Sequence, residues 1–327
     1  MINTMVDNTN TNHFSDDDIN DILQENGVTN STGNFASTYE ALDALTTTID
    51  EEEPESAEEG ENSDEESSNE NSEETSNADN EIIPPNSPTL LMDDATARFS
   101  GAEWFNKMQK LKIIIAGLGG IGSNVSYQIA RLNPNIITLY DNDRVDRVNM
   151  AGQFYRKDDA GRYKTDVMFG MLQNYTICKH IFSIPSRFRE NTEPADIMIC
   201  GFDSMDARKV FFNSWKRHIL TLKESTRKKC LYIDGRLSFD TLQVFCITGD
   251  DEYNQNRYEK EFLFKDSEAE ETICSMKQTT YLACMIGSVM TNLLVNFVAN
   301  LTEPAIPYDV PFFTEYNAPH MLFNYEY

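Results

Sequence analysis

The sequence has no lysine or arginine before Arg98. Phosphate backbones are held by basic surface, so the first 97 residues are excluded as a nucleic-acid grip. Six cysteines in 327 residues are too few for a disulfide scaffold. No two of them are spaced C-x-x-C, so the ligands of a four-cysteine structural zinc are missing and no structural zinc is expected. The four histidines stand in no catalytic or metal-ligating spacing. Residues 1–20 lack both a positive leader and an apolar run, so no secretory signal is expected. The expected location is cytoplasmic, with reduced thiols. Residues 51–80 contain no aromatic side chain, and Thr75 is their single β-branched residue.

What is present is unevenly placed. The chain carries 54 acidic and 27 basic side chains. Residues 1–97 hold 26 of the acidic groups, which leaves 28 acidic and 27 basic groups in a nearly neutral remainder. A segment so poor in apolar side chains cannot bury enough surface to offset its ordering entropy. Residues 1–95 are therefore expected to be a disordered acidic tail, and residues 96–327 the folded domain. Within the tail, Ser15 to Leu23 reads as a short capped acidic segment, either a docking motif or mere local helix bias. The prolines at 84, 85 and 88 stiffen the approach to the folded part. The tail itself is a solubilising tether or a mimic of nucleic acid.

The remainder suits one α/β domain. Lys112 to Ala116 is a short apolar strand, followed at once by Gly117-Leu118-Gly119-Gly120-Ile121-Gly122. Ser123 to Leu132 reads as a helix, and Ile136 to Tyr140 as a second strand closed by Asp141. This is a βαβ unit with a nucleotide fingerprint. Gly117 permits the turn, Gly119 lets a phosphate or ribose reach the backbone, and Gly122 lets helix and strand approach. The helix N-terminus offers free N–H groups to an anion. Asp141 stands nineteen residues past Gly122, where an acidic group reaches ribose hydroxyls. Further strands are expected at Ile197–Cys200, Leu231–Asp234 and Leu242–Ile247, with helices from Asp206 to His218 and from Met276 to Asn300. The run Tyr281 to Leu301 is long enough for a membrane span. Asn292, Asn296 and Asn300 form a polar stripe at helical spacing, which favours a buried amphipathic helix and no membrane. Pro304 to Tyr327 is expected to pack over the core.

Beyond the glycines, Asp141-Asn142-Asp143-Arg144-Val145 is followed by Asn149, Gln153 and Lys164, and later by Asp203 after a strand. This order resembles the ThiF/MoeB/E1 family of ubiquitin-like-protein adenylating enzymes, over about Arg98 to Leu301. The resemblance implies a Rossmann-like adenylation fold with a mixed sheet and a symmetric homodimer. It implies ATP with Mg2+, used to convert the C-terminal carboxylate of a ubiquitin-like or sulfur-carrier protein, or of a peptide, to an acyl-adenylate. On that resemblance Lys164 is the phosphate-binding lysine, Asn149 a phosphate contact, Asp203 the metal ligand and Asp141 the ribose ligand. Gly117, Gly119, Gly120 and Gly122 line the nucleotide, with Asp143 nearby. Arg98 is the first arginine of the family's basic R-x-x-R stretch; Gly101 replaces the second. Gly152 stands where the family has another arginine, so Arg156 or Arg98 would have to supply that charge. Cys274 matches a cysteine that some relatives use to take the acyl group; in others that cysteine is dispensable. Arg236 is a candidate for the substrate channel.

Plainer roles compete with these. Asp141 could close a turn, Lys164 could be a surface lysine, Asp203 could cap the following helix, and Arg208 could pair with a local carboxylate. At the level of function, the alternatives are a catalytically silent nucleotide-binding scaffold and an NAD(P)-dependent oxidoreductase. Activation of a tRNA base is disfavoured by the neutral core and acidic tail, and no nucleic-acid partner is expected.

Overall fold

Unbroken apolar runs suit strands that are covered on both faces. The computed structural model describes residues 94–265 and 278–327. In it Lys112–Ala116 forms β1, Ile136–Tyr140 β2, His180–Ile184 β3, Ile197–Cys200 β4 and Leu231–Leu237 β5. Thr241–Thr248, Phe313–Asn317 and Leu322–Glu326 follow as β6, β7 and β8. All eight belong to one sheet in the order β3-β2-β1-β4-β5-β6-β7-β8. The first five are parallel, and β6 to β8 are antiparallel additions. The fold is thus α/β with a mixed sheet. The expectations for the acidic tail, for Ser15 to Leu23 and for the prolines at 84–88 lie outside the described residues.

The helices are α1 (Phe105–Met108), α2 (Gly120–Ala130), α3 (Lys164–Tyr175) and α4 (Met205–Thr221). After them come α5 (Glu224–Arg227), α6 (Glu252–Arg257) and α7 (Thr280–Asn300). Alternation along the strands assigns them to two layers. Ile113, Ile115, Ile137, Leu139, Ile199 and Ile233 pack with Val125 and Ile129 of α2, Leu172 of α3, and Ile286 and Met290 of α7. Ile114, Met198 and Tyr232 point the other way, against Phe211, Phe212 and Trp215 of α4.

Helix α7 is long and apolar enough to cross a bilayer by length and composition. Here its apolar face is buried, with Leu282, Ile286, Met290, Leu294 and Val298 fully covered. The asparagine stripe faces the following loop. Asn296 Nδ2 donates to Asp309 O at 2.8 Å, and Asn300 exchanges two bonds with the Tyr308 backbone at 2.8 and 2.9 Å. The helix is therefore a core helix whose polar edge holds the chain leading to β7.

Two expectations need correction. The helix thought to begin at Met276 begins at Thr280; Met276 itself lies outside the described residues, and Gln278 and Thr279 are not helical. Thr279 has an extended backbone, and the Thr280 hydroxyl is bonded to Ala151 O, so this end is fixed by tertiary contact. The C-terminal stretch does not simply cover the core. Its Phe313–Asn317 and Leu322–Glu326 segments lengthen the sheet, and β8 is an edge strand with Leu322 and Tyr325 exposed.

The topology positions the site. The chain passes from β1 to β2 on one side and later places β4 on the other. The carboxyl ends of β1 and β4 therefore flank a switch point, where ligands of open α/β sheets bind.

Candidate functional site

The turn after β1 is tight. Gly117 has φ of 82°, a left-handed conformation that glycine adopts without strain. A Cβ on Gly122 would lie 1.9 Å from Gly117 O, so helix α2 can sit on the turn only because residue 122 has no side chain. Gly119 differs. The nearest atom to a Cβ there is Gln153 Nε2 at 4.0 Å, so nothing within the described chain requires a glycine at that position. The open surface above Gly119 fits close approach by a ligand. Gly120 is covered: its Cβ would lie 2.1 Å from Gln278 Oε1. The same carboxamide lies against Gly152, at 2.8 Å from the position of a Cβ there. Gln278 thus occupies the space into which a side chain at 152 would start.

A chain of polar contacts leads away from the turn. Asp141, buried at the end of β2, accepts from Leu118 N at 2.6 Å and from Asp143 N at 2.7 Å. Burial pushes its carboxyl above the ordinary range, and Lys164 and the two N–H groups offset this only in part. The exposed Asp143 accepts from Lys164 Nζ at 3.1 Å. Lys164 opens α3 and is buried along its stem, so it is not a surface lysine. Asn149, half-buried in a short 3-10 turn, uses its Oδ1 to accept from Asp146 N at 2.8 Å. Its amide N–H groups have no partner among the described residues.

Across the switch point, Gly201 N donates to Ala116 O at 2.8 Å, and a Cβ on Gly117 would meet Phe202 N at 2.6 Å. The Phe202-Asp203-Ser204 turn is therefore locked beside the glycine turn. The cap of α4 is Ser204, whose Oγ accepts from Ala207 N, so Asp203 is not the cap. The Asp203 carboxylate is exposed and has no hydrogen bond or ion pair among the described residues.

Sequence reasoning placed the remaining cations less well. Arg156 is committed to the buried Asp159 by contacts of 3.1 and 3.3 Å, so it is not a free replacement for a phosphate-binding arginine. Arg236 turns inward: its Nε donates to Asp234 at 2.9 Å and its Nη2 to Phe262 O at 2.9 Å. It does not point into a substrate channel. Arg98 lies on an exposed turn with no ion pair among the described residues. Cys274 lies outside the described residues. Cys200 and Cys246 are buried, which pushes the Cys200 thiol up to about 12 and raises that of Cys246 further, as inert core thiols require.

Two groups escaped sequence reading. Tyr155 is buried and donates its hydroxyl to Leu118 O at 2.6 Å, bracing the turn. Tyr258, at the start of a π-helical turn, donates to Asp234 Oδ2 at 2.8 Å. Neither stands at a spacing that would single it out. Burial alone raises the Asp234 carboxyl, but Arg208, Arg236 and Tyr258 outweigh it and hold it below its ordinary range. A lowered folded-state value contributes stability above the unfolded value, lost as pH falls through the folded one. Tyr258→Phe removes one donor to the carboxylate and is expected to cost about 1.5–3 kcal/mol at neutral pH. The gap from wild type should narrow as pH falls below about 4. Urea midpoints measured from pH 2 to 7 would read it; a gap independent of pH would contradict the assignment.

The ThiF family model matches residues 93–325. The chain belongs to the ThiF family. Among its curated relatives, the NEDD8-activating enzyme E1 catalytic subunit of Caenorhabditis elegans is 32% identical over 114 residues, covering 33% of this chain and 26% of that protein. Ubiquitin-like modifier-activating enzyme 5 of Dictyostelium discoideum is 28% identical over 145 residues, covering 39% of this chain and 38% of that protein. The aligned region thus spans well under half the length of these relatives. Among solved structures, PaaA superposes with TM-score 0.53 at 16% identity, covering 68% of this chain and 65% of that one. MccB of E. coli, solved with ATP, superposes with TM-score 0.50 at 17% identity and the same coverages. These likenesses establish the ThiF fold.

Magnesium is commonly held by one or two carboxylates together with substrate phosphates. Asp203, exposed and without a partner among the described residues, suits that mode. No group of three or more His, Cys, Asp or Glu side chains able to hold a metal occurs among the described residues. A metal at Asp203 would therefore need further ligands from outside the described side chains, as substrate phosphates can provide.

Proposed function

We propose that this ThiF-family protein is an adenylyltransferase that activates a C-terminal carboxylate with ATP. The observation that carries this reading is the exposed Asp203 carboxylate, without a partner among the described residues, on a turn locked beside a glycine turn whose Gly119 has no described neighbour nearer than Gln153. The substrate class is a ubiquitin-like or sulfur-carrier protein, or a peptide; the names of the two relatives, which print NEDD8 and a ubiquitin-like modifier, support the first of these. The reacting species would be the acceptor carboxylate oxygen. It bonds to the α-phosphorus of ATP, the bond to the bridging oxygen breaks, and pyrophosphate leaves with the electron pair.

The chain's residues divide this work. Asp141 would receive the ribose, and Gly119 and the N-terminus of α2 would face the phosphates. Lys164 would exchange Asp143 for phosphate oxygens as charge builds there. The Asn149 amide would donate to the same oxygens. Magnesium bound at Asp203 would neutralise charge on the leaving pyrophosphate. Transfer to Cys274 as a thioester, and operation as a homodimer, belong to the same proposal.

A second reading is favoured by the cations. Arg156 and Arg236 are committed elsewhere, and Gly152 faces Gln278. On that reading the protein binds nucleotide as a scaffold without turning it over. The two are separated by incubating the full chain with ATP, Mg2+ and ubiquitin-like proteins or peptides bearing free C-termini. Acceptor-dependent ATP–pyrophosphate exchange and AMP release are expected. Nucleotide binding without AMP for every acceptor tried would favour the scaffold.

A further inference from the structure

The Arg208 side chain is buried, yet it is not in the proposed site. Its guanidinium gathers groups from the ends of two neighbouring strands. Nη2 donates to Phe202 O, just past β4. Nη1 donates to Asp234 Oδ1 and to Gly235 O, the latter at 3.0 Å, both on β5. The other oxygen of Asp234 is held by Arg236 Nε at 2.9 Å and by Tyr258 OH at 2.8 Å. The Arg208 backbone also donates to Ser204 O at 3.2 Å.

These contacts bracket one residue. Asp203 follows the carbonyl that Arg208 holds and precedes the serine that caps α4. The Phe202 ring packs edge-on against Phe211 of the same helix at 5.6 Å. These contacts tie the backbone on both sides of Asp203 to α4 and to the glycine turn. We infer that Arg208, itself oriented by Asp234, is the positioning residue that holds the Asp203 carboxylate toward the nucleotide's metal. This inference rests on the adenylating reading of the site.

The geometry needs a guanidinium. Four acceptors, Cys200 Sγ and Phe202 O at the end of β4 and Asp234 Oδ1 and Gly235 O on β5, are served by two nitrogens, which the single nitrogen of a lysine ammonium cannot reproduce. Arg208→Lys keeps the charge opposite Asp234 but gives up the hold on Phe202. Partners that orient a metal ligand from outside the coordination shell typically contribute 10–100-fold in metal affinity.

The experiment is calorimetry on the full chain with ATP, with Mn2+ or Mg2+ and then with chelator, alongside thermal unfolding. For Arg208→Lys, metal-free ATP affinity should match wild type, and the gain in affinity on adding metal should fall about 10-fold. A merely structural role would lower the melting temperature and leave that gain intact. A folded Arg208→Lys protein with the full gain overturns the inference. Should that variant fail to fold, Tyr258→Phe keeps both arginines and carries the test. It should lower the gain in the same direction but by less than the loss expected of Arg208→Lys, because Tyr258 acts on Arg208 only through Asp234; an unchanged gain overturns the inference. Wild-type protein that binds no ATP, or binds it with no gain from metal, overturns the adenylating reading first.

Discussion

Asp203→Ala is expected to lower acceptor-dependent ATP–pyrophosphate exchange by about 10²- to 10³-fold while leaving the fold intact. The two halves of that expectation come from the same observation. The carboxylate is exposed and bonded to nothing among the described residues, so removing it breaks no internal contact. Ser204, not Asp203, caps α4, so the helix keeps its cap. Stability should therefore change by no more than about 0.5 kcal/mol, as for a surface substitution. Lys164→Ala should produce a loss of similar size, because it removes the buried-stem cation beside Asp143. Exchange rates and melting curves on the same preparations check both. Normal exchange in Asp203→Ala would remove the metal assignment, and a collapse in melting temperature would show that the residue supports the fold.

Gly122→Ala is expected to destabilise the domain by about 3 kcal/mol or more. The added methyl would sit 1.9 Å from a backbone oxygen, Gly117 O, which no rotamer change can relieve. Either the glycine turn or α2 must shift, and both are packed against the core. For a domain of this size the loss corresponds to a fall of roughly 10 °C in melting temperature. Gly119→Ala makes the contrast. Its Cβ meets nothing closer than Gln153 Nε2 at 4.0 Å, so the protein should fold normally and lose nucleotide affinity. Thermal unfolding of the two variants in parallel tests the division between glycines that serve packing and one that serves a ligand.

Much of this was legible in the sequence, for identifiable reasons. β1, β2 and β4 are short runs rich in isoleucine, and β5 opens on Leu231-Tyr232-Ile233, so their apolar character reads directly as strand. The glycine turn and Asp141 are tied to fixed spacing, so their partnership could be foreseen. β3 and α3 were less visible, because His180 and Ser183 interrupt the apolar run of β3 and α3 has a weak apolar stripe. β7 and β8 escaped because prolines and exposed aromatics around them read as irregular chain. At the site, Asp203, Lys164 and Asp141 stand at motif positions. Gln278 and Tyr258 reach the site and its support from far along the chain, and no local pattern records such a contact. Arg156 misled for the opposite reason. It lies close to the motif in sequence, but the buried Asp159 claims it.

The central claim is that the site takes ATP with a metal. Calorimetric titration of the full chain with ATP–Mg2+ and with NAD, side by side, tests it most directly. Binding of ATP that tightens with Mg2+, with NAD much weaker, is the predicted result. Preference for NAD would contradict the account and make Asp141 a dinucleotide ribose ligand, and binding of neither would contradict it equally.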